Sequence, residues 1–109
     1  MAMHPTVTLT ARSGTSYHLT VFPFGTPLPA VGGVYAIMRD EGARWTVLYI
    51  GQTGDLSSRF DNHHHAMAFR RQRATHIAAI GIPHEDRRRQ VEADLVGTLA
   101  PPINQTAHG

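Results

Sequence analysis

Two short runs near the amino terminus alternate polar and apolar residues. Residues 6–10 and 17–21 both follow the period of two that is typical of strands with one buried face. The segment between them, residues 11–16, is rich in Ser, Thr and Gly, which favour turns. The pattern therefore predicts a β-hairpin. Four residues then interrupt regular structure and predict an irregular connector: Pro23, Gly25, Pro27 and Pro29.

Three apolar runs in the rest of the chain predict core strands. Residues 34–38 and 46–50 are short and rich in β-forming residues, and residues 40–44 between them contain Gly42 and can form a hairpin loop. Residues 76–82 form the third run. Because helical patterns also occur, we expect an α/β or α+β fold.

The second hairpin brings two tyrosines together if Gly42 is its midpoint. Residues equidistant from Gly42 then lie opposite each other, so that Tyr35 faces Tyr49 and Ile37 faces Val47. Directly opposed side chains on one face of a sheet have Cβ atoms ~4.5–5.5 Å apart. This register predicts two phenols side by side.

Helical spacing predicts a first helix that begins near Asp55, whose carboxylate can cap the first turn. Basic residues at its end would complement the negative pole of the helix dipole. The apolar stripe of this helix is Leu56, Phe60 and Met67, and the arginines at its end are Arg70, Arg71 and Arg73.

A second helix is predicted over residues 84–99. Glu85 and Asp86 lie in its first turn, where acidic residues are favourable, and Pro101 and Pro102 stop it. Its buried stripe consists of Val91, Leu95 and Leu99.

Composition restricts the class of protein. A chain of 109 residues fits one domain, and it has no cysteine, which excludes disulfides, thiolate nucleophiles and cysteine-based zinc sites. It lacks the pattern of a signal peptide and any apolar run near the roughly 20 residues that cross a bilayer. We therefore expect a cytoplasmic protein that does not enter membranes.

The type of basic residue is more informative than the net charge. Formal net charge is only +2, but all ten basic residues are arginine, whose planar guanidinium suits phosphate contact. A genome of high GC content, which favours arginine codons, explains the same bias. Composition alone therefore leaves nucleic-acid binding open. Two clusters are candidates for a phosphate-binding surface, although solvated helix faces explain them almost as well: Arg70, Arg71 and Arg73, and residues 87–89 with Arg88.

An ordered set of residues carries the most specific information. Gly33-Val34-Tyr35 is followed by Tyr49-Ile50-Gly51 and then by four polar residues: Arg59, His63, Glu92 and Asn104. This order resembles that of the GIY-YIG nuclease superfamily over residues 32–105, with valine in place of isoleucine in the first motif and a longer hairpin loop.

The resemblance implies the architecture. We expect a GIY-YIG-like domain over residues 32–105, with a central three-stranded antiparallel sheet flanked by helices. Residues 1–31 would add an N-terminal β-hairpin extension and connector, and residues 106–109 a tail.

The resemblance also implies a reaction centre. Tyr35 would act as general base on the attacking water. Because a free tyrosine has a pKa of ~10, it needs positive charge nearby to ionise near neutrality. Arg59 would supply part of that charge and bind the phosphate. Tyr49 would orient water or phosphate, and His63 would hydrogen-bond the phosphate or assist proton transfer.

One divalent ion completes the implied centre. Glu92 would ligate Mg²⁺ or Mn²⁺, and a single carboxylate suffices if water and substrate oxygens fill the shell. An ion pair with Arg88 at i−4 is the ordinary alternative for Glu92. Asn104 would hold the geometry by hydrogen-bonding backbone, while Gly33 and Gly51 would support the site.

A triplet of histidines, residues 63–65, does not predict a metal site. Consecutive helical residues point ~100° apart, so all three cannot ligate one ion. His64 and His65 are instead expected to lie on the surface or to pack against the helix.

The expected function is a metal-dependent endonuclease that hydrolyses phosphodiester bonds of DNA. Two alternatives stay open: a non-catalytic module that binds nucleic acid or protein on the same fold, and an RNA-cleaving, toxin-like nuclease. Target choice would come from the protein's own surface, from self-association or from a partner protein.

Overall fold

A computed structural model describes residues 4–58 and 65–106. In chain order its elements are β1 (Thr6–Thr10), β2 (Ser16–Pro23), β3 (Gly33–Asp40), β4 (Trp45–Thr53), α1 (Ala66–Arg71), β5 (His76–Gly81), α2 (Glu85–Leu99) and α3 (Pro102–Thr106). The mixture of strands and helices agrees with the expected α+β class. None of the helices among these residues is long and apolar enough to span a membrane.

All five strands form one antiparallel sheet, in the order β1-β2-β5-β3-β4. The expected three-stranded sheet is therefore wrong, because β2 of the amino-terminal hairpin pairs with β5. The sequence of β5 explains this arrangement. Three successive residues, 77–79, are buried, and since successive side chains point to opposite faces, both faces of β5 are covered. Such a strand is central, and β2 satisfies its second edge.

The two faces of the sheet pack against different helices. Val34 and Ala36 of β3 lie in one core with Val91 and Leu95 of α2. The intervening side chain of Tyr35 belongs to the opposite core. That second core also contains Tyr49, Phe69 from α1 and Ile103 from α3. The tyrosines therefore share a face with α1 and α3, and α2 covers the other face.

The predicted register of the second hairpin is wrong by two residues. Tyr35 lies opposite Gly51, and Ile37 lies opposite Tyr49. A register shift between Ile37 and Met38 leaves Leu48 as an extra residue in β4, and the loop occupies residues 41–44. Because side chains alternate with a period of two, a shift of two residues keeps both tyrosines on one face.

The first helix differs from its predicted course. Asp55 accepts hydrogen bonds from the backbone N–H and the hydroxyl of Ser57, at 2.9 and 2.6 Å, but residues 56–58 form a turn. The described helix, α1, begins at Ala66. Phe60 lies outside the described residues. Met67 is 68% exposed, so its predicted place on the apolar stripe is wrong, and the buried residue of this helix is Phe69.

The second predicted helix is confirmed as α2, with Val91 and Leu95 buried. It ends at Leu99, and Ala100 adopts the left-handed conformation (φ 44°). Pro102 then begins the short helix α3, which the sequence pattern did not predict. Proline is well tolerated there because the first turn of a helix has no use for its missing N–H.

Candidate functional site

Tyr35 and Tyr49 are in contact, although they are not directly opposed. Their ring centroids are 6.1 Å apart and the ring planes are inclined by 36°. Tyr35 has no exposed surface in the free protein, and Tyr49 is 8% exposed. The pair therefore lies at the edge of the core, with Tyr49 nearer to solvent.

Gly51 makes room for the Tyr35 phenol. A Cβ at this position would lie 2.5 Å from both Cζ and Oη of Tyr35 and 2.9 Å from Cε2 of Tyr49. These separations are far below van der Waals contact, so any side chain here would displace the ring. The Tyr35 ring thus extends across β4, the outermost strand on this side of the sheet. Gly51 lies within β4, where it leaves room for the Tyr35 phenol.

Gly33 has a similar steric reason at the start of β3. A Cβ there would clash with the carbonyl oxygen of Ile80 and lie 2.8 Å from Cδ1 of Leu56. The absence of a side chain lets β3 and β5 approach, and it lets Leu56 close over the end of the sheet.

Asn104 makes a backbone contact of the kind that the family resemblance implies. Its side-chain Oδ1 accepts a hydrogen bond from the N–H of Ile50 at 2.7 Å, and its Nδ2 donates to the carbonyl of Ile50 at 2.9 Å. Since β4 is an edge strand, these outward groups have no strand to pair with. The buried amide takes the place of a neighbouring strand between Tyr49 and Gly51.

Phe69 of α1 and His65, which directly precedes α1, pack against Tyr49. The ring centroids of His65 and Phe69 lie 5.0 and 5.5 Å from that of Tyr49. Of the two expectations for His65, surface or packing, the ring contacts confirm packing. His65 is thus a neighbour of the tyrosine pair that was not counted among the predicted site residues.

Glu92 lies half-buried in the middle of α2, across the sheet from the tyrosine core. Residues four apart share one flank of a helix, and Arg88, four residues earlier, hydrogen-bonds to Gln52 of β4. Glu92 therefore lies on the flank of α2 that faces β4. The helix that carries Glu92 and the Tyr35 phenol thus lie on opposite faces of the sheet.

A single carboxylate is a modest but adequate donor for a hard divalent cation. Among residues 4–58 and 65–106, no three His, Cys, Asp or Glu side chains come together as a metal site. An oxygen-ligated Mg²⁺ can take one carboxylate and fill its other positions with water and phosphate oxygens. The donor set thus fits an ion shared with substrate.

The predicted arginines occupy different environments. Arg59 and His63 lie outside the described residues. Arg70 and Arg71 form the last turn of α1 and are exposed, and Arg73 follows with a positive φ of 58°. Arg88, in contrast, is only 7% exposed and hydrogen-bonds within the protein. Arg70, Arg71 and Arg73 can reach a ligand from the surface. The side chain of Arg88 is instead occupied by contacts within the protein.

Sequence reasoning missed the buried position of Arg88, although a signal was available. The buried stripe of α2 includes Val91 and Leu95, and Arg88 precedes these by three and seven residues. This spacing continues the stripe towards the amino end of the helix. The arginine was instead grouped with its neighbours, residues 87–89.

A cleft of about 300 Å³ lies beside the tyrosine core. It is lined by uncharged residues from the segment after β2, from the turn after β4 and from β5, including Phe24, Thr26, Leu28, Leu56, Ser57 and Ile77. None of the described residues that line it carries a charge.

No protein-family model matches the chain, and no curated protein or solved structure shows significant similarity to it. Functional interpretation therefore rests on the residues and their geometry.

Proposed function

We propose that this chain is a divalent-metal-dependent endonuclease of the GIY-YIG type that hydrolyses phosphodiester bonds of DNA in the cytoplasm. One observation carries the proposal: the Tyr35 ring and the buried Asn104 side chain, from two other segments, both contact residues 49–51 of β4, a stretch that begins with Tyr49. Gly51 within that stretch is required by the Tyr35 phenol.

Tyr35 is the general base in this proposal. A free tyrosine side chain has a pKa of ~10, and Tyr35 must lose its proton to activate water near neutrality. The guanidinium of Arg59 and the cation supply the positive charge that favours the ionised phenol. Because Tyr35 is buried in the free protein, substrate binding must admit the attacking water. Tyr49, which is nearer to solvent, orients that water or the phosphate.

Glu92 would hold the single Mg²⁺ or Mn²⁺ ion, and water and phosphate oxygens would fill its other positions. When bound, such an ion polarises the phosphate and stabilises the leaving oxygen. Arg59 neutralises charge that grows on the phosphate in the transition state, and His63 hydrogen-bonds the phosphate or transfers a proton. Asn104 contributes by holding the backbone of Ile50, which lies between Tyr49 and Gly51.

In this proposal DNA binds where the Tyr35 phenol and the Glu92 carboxylate can both reach a phosphate. The exposed arginines at the end of α1, Arg70, Arg71 and Arg73, contribute phosphate contacts that do not depend on sequence. Target choice comes from this surface, from self-association or from a partner protein.

Nicking of supercoiled plasmid tests the proposal. Wild-type protein should nick DNA with Mg²⁺ or Mn²⁺, EDTA should abolish the reaction, and Glu92→Gln should be inactive while binding DNA. Glu85→Gln is the matched control, since Glu85 lies on the same helix, is exposed and pairs only with Arg89 among the described residues. Equal nicking by Glu92→Gln and wild type would refute the metal role.

A comparison of substrates distinguishes the DNA endonuclease from the RNA-cleaving nuclease and from the non-catalytic module. Duplex DNA, branched DNA and single-stranded RNA should be cut at different rates by the same preparation, with DNA preferred. Cleavage of RNA alone would indicate the toxin-like nuclease. DNA binding without metal-dependent cleavage by folded wild-type protein would indicate the non-catalytic module.

A further inference from the structure

Arg88 is a buried cation in the first half of α2. The flanking residues Arg87 and Arg89 are exposed, whereas Arg88 is 7% exposed. Burying a charge is costly unless its hydrogen-bonding groups are satisfied. Its burial therefore calls for a specific reason.

The surroundings of Arg88 are shaped to hold a guanidinium. Its Nε donates to Oε1 of Gln52 at 3.0 Å, and its Nη1 donates to the carbonyls of Ile82 and Pro83 at 3.2 and 2.9 Å. A Cβ on Gly32 would lie 2.6 Å from the same Nη1. Gly32 thus leaves space that the guanidinium fills.

These contacts join three segments at one point. Gln52 belongs to the end of β4, and residues 82–83 form the connection from β5 to α2. Gly32 directly precedes β3, and its carbonyl accepts a hydrogen bond from the N–H of Ile82 at 2.8 Å. Arg88 thereby ties the start of α2 to the part of β4 that follows Gly51.

Arg88 and Asn104 hold β4 on either side of Gly51. Asn104 fixes Ile50 through its backbone, and Arg88 fixes Gln52 through its side chain. The residue between them is the one over which the Tyr35 phenol lies. The carboxylate of Glu92 follows Arg88 by one helical turn on the same flank of α2.

We propose that Arg88 is a positioning residue that sets the distance between the Glu92 carboxylate and the Tyr35 phenol across the edge of β4. This inference rests on the proposed nuclease function. Arg88 does not touch substrate in this role; it acts by holding α2 against β4. A lysine reaches fewer acceptors, since its ammonium lacks the planar fork that serves Gln52 and the two carbonyls together.

The experiment measures the Mn²⁺ concentration that gives half-maximal nicking. Arg88→Met should raise this concentration by about tenfold or more, because groups that orient a metal ligand typically contribute ~10–100-fold to metal affinity. Arg88→Lys should recover part of the loss. Gly32→Ala, which displaces the guanidinium without removing it, should reproduce the defect. Arg12→Met is the matched control and should match wild type, since Arg12 is exposed and lies in the turn of the first hairpin.

DNA affinity in EDTA provides the second readout. Arg88→Met should keep the wild-type affinity and the wild-type dependence of binding on salt. A weaker affinity with a salt slope reduced by about 1 would show a direct phosphate contact and overturn the inference. Wild-type metal dependence in folded Arg88→Met, Arg88→Lys and Gly32→Ala would reduce Arg88 to a stabilising residue. If wild type itself does not nick DNA, the nuclease proposal fails first, which separates the two failures.

Discussion

The two hairpins of this sheet are built by different rules. In the first, β1 and β2 pair without a register shift over five residue pairs. Its cross-strand side-chain hydrogen bonds are exposed: Thr8 to His18 and Thr10 to Ser16, both at 2.9 Å. Such pairs follow the ordinary pattern of a half-solvated antiparallel ladder.

The second hairpin departs from that pattern at several points. It contains a bulge after Ile37, a glycine inside β4 at position 51, and a buried Asn104 that replaces a missing strand. A glycine in a strand costs roughly 0.5–1 kcal/mol relative to alanine. The chain tolerates this cost where two phenols require the space, which is why we assign the reaction centre to this hairpin.

The first hairpin completes the sheet, and in our proposal the second shapes the site. Departures from local rules concentrate where function makes demands on the backbone. Substitutions in the second hairpin should therefore affect catalysis out of proportion to stability, and those in the first should affect stability alone.

The largest effect is expected from the phenols. Tyr35→Phe removes the base and should lower the nicking rate by ~10²–10⁴-fold, the usual contribution of general base catalysis. Tyr49→Phe should lower it less, because that hydroxyl only orients. Both variants should unfold near the wild-type temperature. A larger loss in Tyr49→Phe than in Tyr35→Phe would assign the base to Tyr49, the more exposed ring.

Gly51→Ala should give the next largest effect. Its Cβ would overlap the Tyr35 phenol, so we expect a loss of ~1–3 kcal/mol in the free energy of unfolding together with a nearly inactive enzyme. Gly97→Ala in α2 is the control, since nothing lies within 4 Å of a Cβ there and alanine favours a helix. Thermal unfolding and nicking are measured on both. A fully active Gly51→Ala variant would contradict the assigned role of the glycine.

Asn104→Asp tests the two hydrogen bonds that hold the edge strand β4 at Ile50. Aspartate can still accept from the N–H of Ile50 but, when ionised, cannot donate to the Ile50 carbonyl, and leaving that buried group unmatched costs ~1–3 kcal/mol. Nicking should fall with it, because the backbone between Tyr49 and Gly51 loses its support. Gln105→Glu is the exposed neighbour for comparison. A free energy of unfolding and a nicking rate equal to those of wild type would show that these two hydrogen bonds are dispensable.

The sequence predicted much of this arrangement because alternation and helical spacing are local properties. All five predicted strands lay within a few residues of their observed bounds, as did α2. The backbone contact of Asn104, which the family resemblance implied, is also present. The face shared by Tyr35 and Tyr49 also survived the register error, since the error was an even number of residues.

What the sequence could not supply was non-local. The extra residue Leu48 shifts the pairing, so the partner of Tyr35, and with it the steric reason for Gly51, followed only from the structure. The pairing of β2 with β5 joins segments more than fifty residues apart, and no local pattern specifies it. Arg88 lay on the buried stripe, but its type argued for the surface until its acceptors were located.

The first hairpin provides a prediction confined to stability. Tyr17 donates a hydrogen bond to Oδ2 of Asp94 at 2.8 Å, as does Ser13, so the hairpin is anchored on α2. Tyr17→Phe should cost about 1 kcal/mol of unfolding free energy and leave nicking unchanged. A loss of nicking that exceeds the loss of folded protein would show that this hairpin also shapes the site.

The same contact has a defined pH dependence. Burial, followed by the Asp94 carboxylate, raises the pKa of Tyr17 above its usual value of 10.0. The neutral phenol is thus favoured in the folded state, so its stabilisation is complete below pH 10 and is lost as pH rises through the folded pKa. Unfolding curves should show this alkaline decline in wild type and a smaller one in Tyr17→Phe. Equal declines would mean that other groups cause it.

The smallest effect is expected from the exposed ladder of the first hairpin. Thr10→Ala removes the hydroxyl that pairs with Ser16 in solvent, and since water replaces a lost exposed hydrogen bond, stability should change by only about 0.5 kcal/mol. Nicking rate and metal dependence should equal those of wild type. The matched change in the second hairpin is Thr46→Ala, near the loop and far along β4 from Gly51, where the effect should be equally small. If Thr46→Ala impaired nicking while Thr10→Ala did not, the site would extend along the whole second hairpin and would not be confined to residues 49–52.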